Sequence, residues 1–153
     1  MWHIDPVSPT PVPPSLLYVV KQVELAVRSH LDELLRPAGV TALQYTPLTV
    51  LERHDGLSAA QLARNSFVTQ QSMGDLVVAL EQRALISRTQ DPANRRRWLI
   101  SLTPDGRALL RTYRKPVRTL EEQMVAALDA TERAALRESL NRCRAALAVD
   151  PAH

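Results

Sequence analysis

The stretch from Ser66 to Thr103, SFVTQQSMGDLVVALEQRALISRTQDPANRRRWLISLT, constrains the fold more than any other part of the chain. Thr69 offers a hydroxyl N-cap, and Met73, Leu76, Val77 and Leu80 follow at helical spacing, so a helix from Gln70 to about Arg83 is expected. Leu85 to Thr89 and Trp98 to Thr103 alternate instead, with Trp98, Ile100 and Leu102 on one face, as short strands do. Between them, Asp91-Pro92 and Asn94 favour a turn. Three consecutive arginines, Arg95, Arg96 and Arg97, are too costly to bury and must be solvated or face an anion. A helix, a strand, an arginine-rich turn and a second strand, in that order, form the pattern of a winged helix-turn-helix.

The residues just upstream fit the same pattern. Ser58 and Gln61 make a capping box, opening a short helix through Leu62 to about Arg64. Asn65 and Ser66 break it, and Phe67 and Val68 are expected to fill the core of the turn into the next helix. That helix would present Thr69, Gln70, Gln71 and Ser72 at its exposed start. A glutamine amide donates and accepts at once, which suits the edge of adenine, and Ser bonds to bases or phosphate. The helix N-terminus adds amide donors and a positive dipole.

The remaining segments read as helices. Ser15 caps a first helix with an apolar stripe of Leu16, Val20, Val23, Val27, His30 and Leu34, ended near Arg36 by Pro37 and Gly39. Thr41 and Gln44 open a second, to about His54, in which Pro47 predicts a bend or a restart with Thr46 as cap. Asp55-Gly56 is a turn. Thr103-Pro104, with Asp105, starts a long helix through Leu128 that Pro116 should kink. A last helix, capped by Thr131, carries Leu136, Leu140, Cys143 and Leu147 on one stripe. It is too short to cover that stripe alone, so it should pack on the first helix and on their copies in a second subunit. Cys143 should then be a buried structural thiol, with a redox-responsive role as the alternative.

Composition limits function. Hydrophobic residues make up 45% of the 153, enough for a core, and the few aromatics leave it to Leu, Val and Ala, which favours a mostly α chain. Arg83 to Arg118 holds ten basic residues against Asp91 and Asp105, a local +8 in a chain whose net charge is +3. Such asymmetry suits a polyanion, and makes Arg88, Arg95, Arg96 and Arg97 candidate DNA contacts. Five of the eleven prolines lie in Met1 to Pro14, an extended arm with Trp2 and Ile4 as apolar anchors. One cysteine and no run of roughly 20 apolar residues point to a cytoplasmic protein without a membrane partner. No phosphate loop, catalytic triad order or metal-ligand cluster is visible, so neither an enzyme nor a cofactor or metal is expected.

The motifs Leu80-Glu81-Gln82-Arg83-Ala84-Leu85-Ile86-Ser87-Arg88, Asp91 to Arg97, and Leu102-Thr103-Pro104-Asp105-Gly106 resemble the recognition helix, wing and following helix of the multiple-antibiotic-resistance regulator (MarR) family. Gly39-Val40-Thr41 and Gln61-Leu62-Ala63 match as well, and the likeness spans roughly Leu16 to Leu147. It implies a homodimeric repressor on pseudo-palindromic double-stranded DNA, released by a small aromatic or phenolic effector. It also implies a wing salt bridge between Asp91 and Arg96, with Arg95 reaching into the minor groove. The domain reading is then an arm at 1–14, a dimerisation lobe from 15–36 and 104–148, and a winged lobe at 40–103. His30, Tyr45 and Tyr113 are candidate linings of an effector cleft between the lobes. Asp75, Asn94 and Ala84 depart from the family pattern, and Ala84, in place of a usual glycine, predicts an altered or strained turn. A winged module that binds protein and no DNA is the alternative.

Overall fold

The chain's elements follow its capping residues closely. A computed structural model describes residues 11–148, so Trp2 and Ile4 in the predicted arm lie outside the described residues. The elements are α1 (Leu16–Leu35) followed by a 3-10 turn (Arg36–Ala38), α2 (Ala42–Arg53), α3 (Ala59–Asn65), α4 (Gln70–Gln82), β1 (Ile86–Asp91), β2 (Asn94–Leu102), α5 (Pro104–Met124) and α6 (Ala130–Leu147). This is a mostly α winged helix-turn-helix. The chain divides into two compact units, one ending at Ala42 and one beginning at Leu43.

In the first unit, Ser15 Oγ accepts from the Tyr18 amide as the N-cap of α1, and Gly39 closes the 3-10 turn at φ 67°, where a side chain would be strained. Asp32 Oδ1 accepts from the Ala42 amide at 2.7 Å. Only Leu35 is fully buried in α1, whereas Leu16 is 84% exposed and Val20 and Val23 are about half exposed. His30 is exposed as well.

In the second unit, α2 to α5 enclose the core of Leu48, Leu51, Leu62, Met73, Leu80, Ile100 and Leu110. Burying each such side chain contributes about 1.5–3 kcal/mol. Pro47 lies inside α2 and is itself buried, and the helix continues through it without restarting at Thr46. Packing of the ring outweighs the one hydrogen bond it removes. Pro116 likewise sits within an unbroken α5.

The hairpin is antiparallel, pairing Ile86 with Leu102 through Gln90 with Trp98. Leu57 adds a single bridge to Ile100, with bonds of 3.1 and 2.7 Å. Asp55 binds this corner to α5, accepting from the Leu102 amide with one oxygen and from Arg107 with the other, at 3.1 and 2.9 Å. Thr103 caps α5, its hydroxyl accepting from the Gly106 amide. Gly106 has no room for a side chain, because a Cβ there would collide with the Leu85 carbonyl.

Three local expectations change. The predicted cap Thr131 is displaced by Asp129, whose carboxylate accepts from the Glu132 amide at 2.8 Å while Glu132 Oε1 accepts from the Asp129 amide. A reciprocal box satisfies two amides where a lone threonine satisfies one. Before it, α5 ends at Met124, short of the expected Leu128. Phe67, expected in the core, is 80% exposed. Cys143 is exposed and no residue of α6 is buried in the single chain.

Candidate nucleic-acid interface

The interface is built on the start of α4. Thr69 Oγ1 accepts from the Ser72 amide at 3.1 Å, and the first intrahelical bond runs from the Met73 amide to the Thr69 carbonyl. The amides of Gln70 and Gln71 thus precede that bond, at the positive end of the helix dipole. Thr69, Gln70, Gln71 and Ser72 are all exposed, while Met73, Val77 and Leu80 are buried on the opposite side. The outward line of α4 continues through Asp75, Val78 and Gln82, so it carries an acid and an aliphatic group but no base.

Both helices of the motif end in left-handed residues other than glycine. Ala84 has φ 57°, with its amide bonded to the Glu81 carbonyl and the Leu85 amide to Leu80, the two bonds of a Schellman cap. Of the altered or strained turn expected at Ala84, the cap itself is ordinary and the strain lies in its left-handed alanine. Phe67 occupies the same place after α3, at φ 61°, with the Val68 amide bonded to the Ala63 carbonyl.

Positive charge comes from the wing, where the ladder changes register. Gln90 opposes Trp98 but Asp91 opposes Asn94, so Arg95, Arg96 and Arg97 bulge out as three unmatched residues. Such a bulge lets three like charges diverge. The predicted Asp91–Arg96 salt bridge does not form. Asp91 Oδ1 instead accepts from the Ala93 amide at 2.9 Å, and Asn94 Oδ1 from the Arg96 amide at 3.2 Å. Two successive Asx turns shape the tip, and the bulge carries Arg96 out of register with Asp91. Among the described residues, the side chains of Arg95 and Arg96 enter no ion pair.

The other two wing cations are engaged within the fold. Arg97 donates to Gln61 Oε1 at 2.9 Å, the same oxygen that accepts from the Ser58 amide in the α3 capping box. Arg88 donates from Nε and Nη2 to the two oxygens of Glu81, the second at 3.2 Å. Those hydrogen bonds hold the Glu81 carboxyl below its ordinary pKa. Gln61 and Glu81 were not legible as partners, because the pairs they make span 36 and 7 residues with no periodic signal.

A second feature lies between α2 and α5, a cleft of about 200 Å³ lined by Tyr45, Thr49, Leu110 and Val117 together with two bases, Arg114 and Arg118, and two acids, Glu52 and Glu121. Glu52 accepts from Arg114 at 2.8 Å. Burial, and then the Glu52 charge, raise the Tyr45 pKa, so its hydroxyl stays neutral. Of the three expected linings only Tyr45 is found here. Tyr113 is half-buried elsewhere on α5, and His30 belongs to the first unit.

A capped, amide-presenting helix beside a cationic hairpin defines a winged helix-turn-helix of the kind that reads DNA. The MarR family profile matches residues 38–97. Over 117 residues the chain is 32% identical to a putative transcriptional regulatory protein for the hcr operon of Thauera aromatica, covering 76% of this chain and 70% of that protein. It is 29% identical over 125 residues to the HTH-type transcriptional repressor Rv2887 of Mycobacterium tuberculosis, covering 82% and 90%. The structure of Rv2887 in complex with salicylic acid matches with a TM-score of 0.68 at 28% identity, covering 86% and 97%. That of the transcriptional repressor CouR bound to a 23-mer DNA duplex matches with a TM-score of 0.78 at 28% identity, covering 84% and 92%. The chain belongs to the MarR family.

Proposed function

We propose that the protein is a homodimeric, sequence-specific repressor that binds a pseudo-palindromic operator and leaves it when a small aromatic acid binds. The observation that carries this is the pairing of an exposed, capped α4 entrance with two uncompensated arginines at a bulged wing tip. In this reading Thr69, Gln70, Gln71 and Ser72 enter the major groove. Arg95 and Arg96 follow the minor groove and phosphates. Arg97 and Arg88 act differently: anchored to Gln61 and Glu81, they hold the wing against α3 and α4. CouR on its duplex and the repressor name of Rv2887 support the assignment.

A second copy supplies what the single chain lacks. Leu16, Val20 and Val23 on α1 and Leu140 and Leu147 on α6 are exposed apolar groups at helical spacing, and a dimer through residues 15–36 and 104–148 covers them. Cys143 then lies within a dimer contact. The two recognition helices would stand roughly 34 Å apart, one turn of DNA.

The effector reading rests on the α2–α5 cleft. Its volume lies below the roughly 300–1,000 Å³ of drug-sized sites, which favours a single ring. Arg118 enters no ion pair among the described residues, and a guanidinium can take a carboxylate in two parallel bonds. Rv2887 with salicylic acid supports an acid of this class. Fluorescence anisotropy with a labelled duplex from upstream of the gene tests both steps. Binding that falls steeply with salt and is reversed by salicylate in wild type but not in Arg118→Ala is expected. Binding unaffected by any benzoate-type acid would remove the effector part, and no binding to DNA would remove the whole reading.

A further inference from the structure

We propose that Phe67 is a specificity-determining contact, its ring resting on the 5-methyl group of a thymine in the major groove; this rests on the DNA-binding reading above. Three observations at the α3–α4 turn are unfavourable to the isolated fold. Phe67 is 80% exposed. Its φ of 61° is a left-handed conformation that bulky side chains rarely adopt and that glycine would adopt freely. Beside it, Ser66 is buried and its Oγ has no hydrogen-bond partner among the described residues. A glycine at 67 would make the same helix cap without strain and without a bare ring. Ala84 carries the same left-handed strain, which is common at binding sites, so the bare ring is what distinguishes position 67.

The surroundings of the ring identify its partner. Phe67 precedes the cap Thr69 by two residues, so their Cα atoms are at most about 7 Å apart. The exposed ring is thus carried on the segment that leads directly into the first turn of α4. Arg64, Asn65, Thr69, Gln70 and Gln71 around it in sequence are exposed and polar, which is not the contiguous apolar patch of a protein-docking surface. A phenyl ring offers no hydrogen bond, and the thymine methyl is the one apolar group on a base edge in the major groove. Thymine is thus the base that a ring at this position favours.

The test uses the full-length protein and the duplex it enriches from a random pool, with each thymine replaced in turn by uracil, which removes only the methyl group. One thymine in each half-site should be sensitive. Its replacement should weaken binding about fourfold, the factor supplied by one buried methyl, and replacement in both half-sites about sixteenfold. Phe67→Gly, which relieves the strain and should fold at least as stably, should still bind the duplex but treat thymine and uracil alike. Retention of the thymine preference in Phe67→Gly would overturn the proposal. So would a substitution that altered the protein's mass in solution and left DNA binding untouched, since that marks a protein contact. Failure of the wild type to enrich any sequence would instead refute the DNA-binding reading, and is read before any variant is made.

Discussion

Replacing Arg95 and Arg96 by alanine should flatten the salt dependence of DNA binding, while replacing Arg88 should not. Each phosphate neutralised by a cation contributes about 0.9 to the slope of log K against log salt. Among the described residues Arg95 and Arg96 have no counter-ion, and a dimer has two wings. Each single substitution should therefore reduce the slope by about 1.8, and the double substitution by about 3.6. Between 50 and 200 mM salt, the double variant should lose about 150-fold less affinity than wild type, and either single variant about 12-fold less. Arg88 is already paired with Glu81 in a bidentate contact, so Arg88→Ala deletes a charge with little left to offer DNA. Its slope should change by less than about one. Anisotropy titrations at four salt concentrations would measure the wild type and all four variants. Equal slopes for Arg88→Ala and Arg95→Ala, or an unchanged slope in the double variant, would refute the assignment of charge to the bulged tip.

Other substitutions probe the scaffold. Ala84→Gly removes a left-handed penalty of about 1–2 kcal/mol against a loss of about 0.4–1 kcal/mol from the freer unfolded chain, so calorimetry should show a small rise in Tm; a fall would mean that the Ala84 methyl makes contacts that outweigh its strain. Gly106→Ala drives a methyl into the Leu85 carbonyl and against Leu102 Cδ2 at 3.1 Å, and should cost about 3 kcal/mol in chemical denaturation, whereas a neutral result would show that α5 can shift. At Gly74 an added Cβ would meet nothing within 4 Å, so Gly74→Ala should stabilise α4 by about 0.5–1 kcal/mol. If Gly74 is kept bare for the groove wall, the same change should weaken DNA binding severalfold, and an unaltered affinity would free that position from the interface. Light scattering at micromolar concentration should give the mass of a dimer, and a stable monomer would leave the faces of α1 and α6 unexplained.

How legible the molecule was depended on how local each signal is. The boundaries of α1, α3 and α4 were readable because Ser15, Ser58 and Thr69 bind amides three residues away, and a capping pattern needs no tertiary partner. The wing strands were readable from alternation for the same reason. Phe67 was misjudged because an aromatic between two helices ordinarily packs inward, and its left-handed backbone, which depends on how α3 ends, turns it out. The Asp91–Arg96 pair failed because a three-residue bulge is invisible to spacing. Asp55, Glu52, Gln61 and Arg114 bind partners 36 to 62 residues distant, and nothing in the sequence links them. Cys143 and the α6 stripe were legible as apolar, but no residue of α6 is buried in the single chain, and only the proposed dimer would cover them.

Selection from a random duplex pool tests the central claim most directly. A two-fold protein reading successive major grooves should enrich an inverted repeat with half-site centres about 10–10.5 base pairs apart, occupied by two protomers in native mass spectrometry. Enrichment of no sequence, or binding by a single protomer without symmetry, would contradict the account.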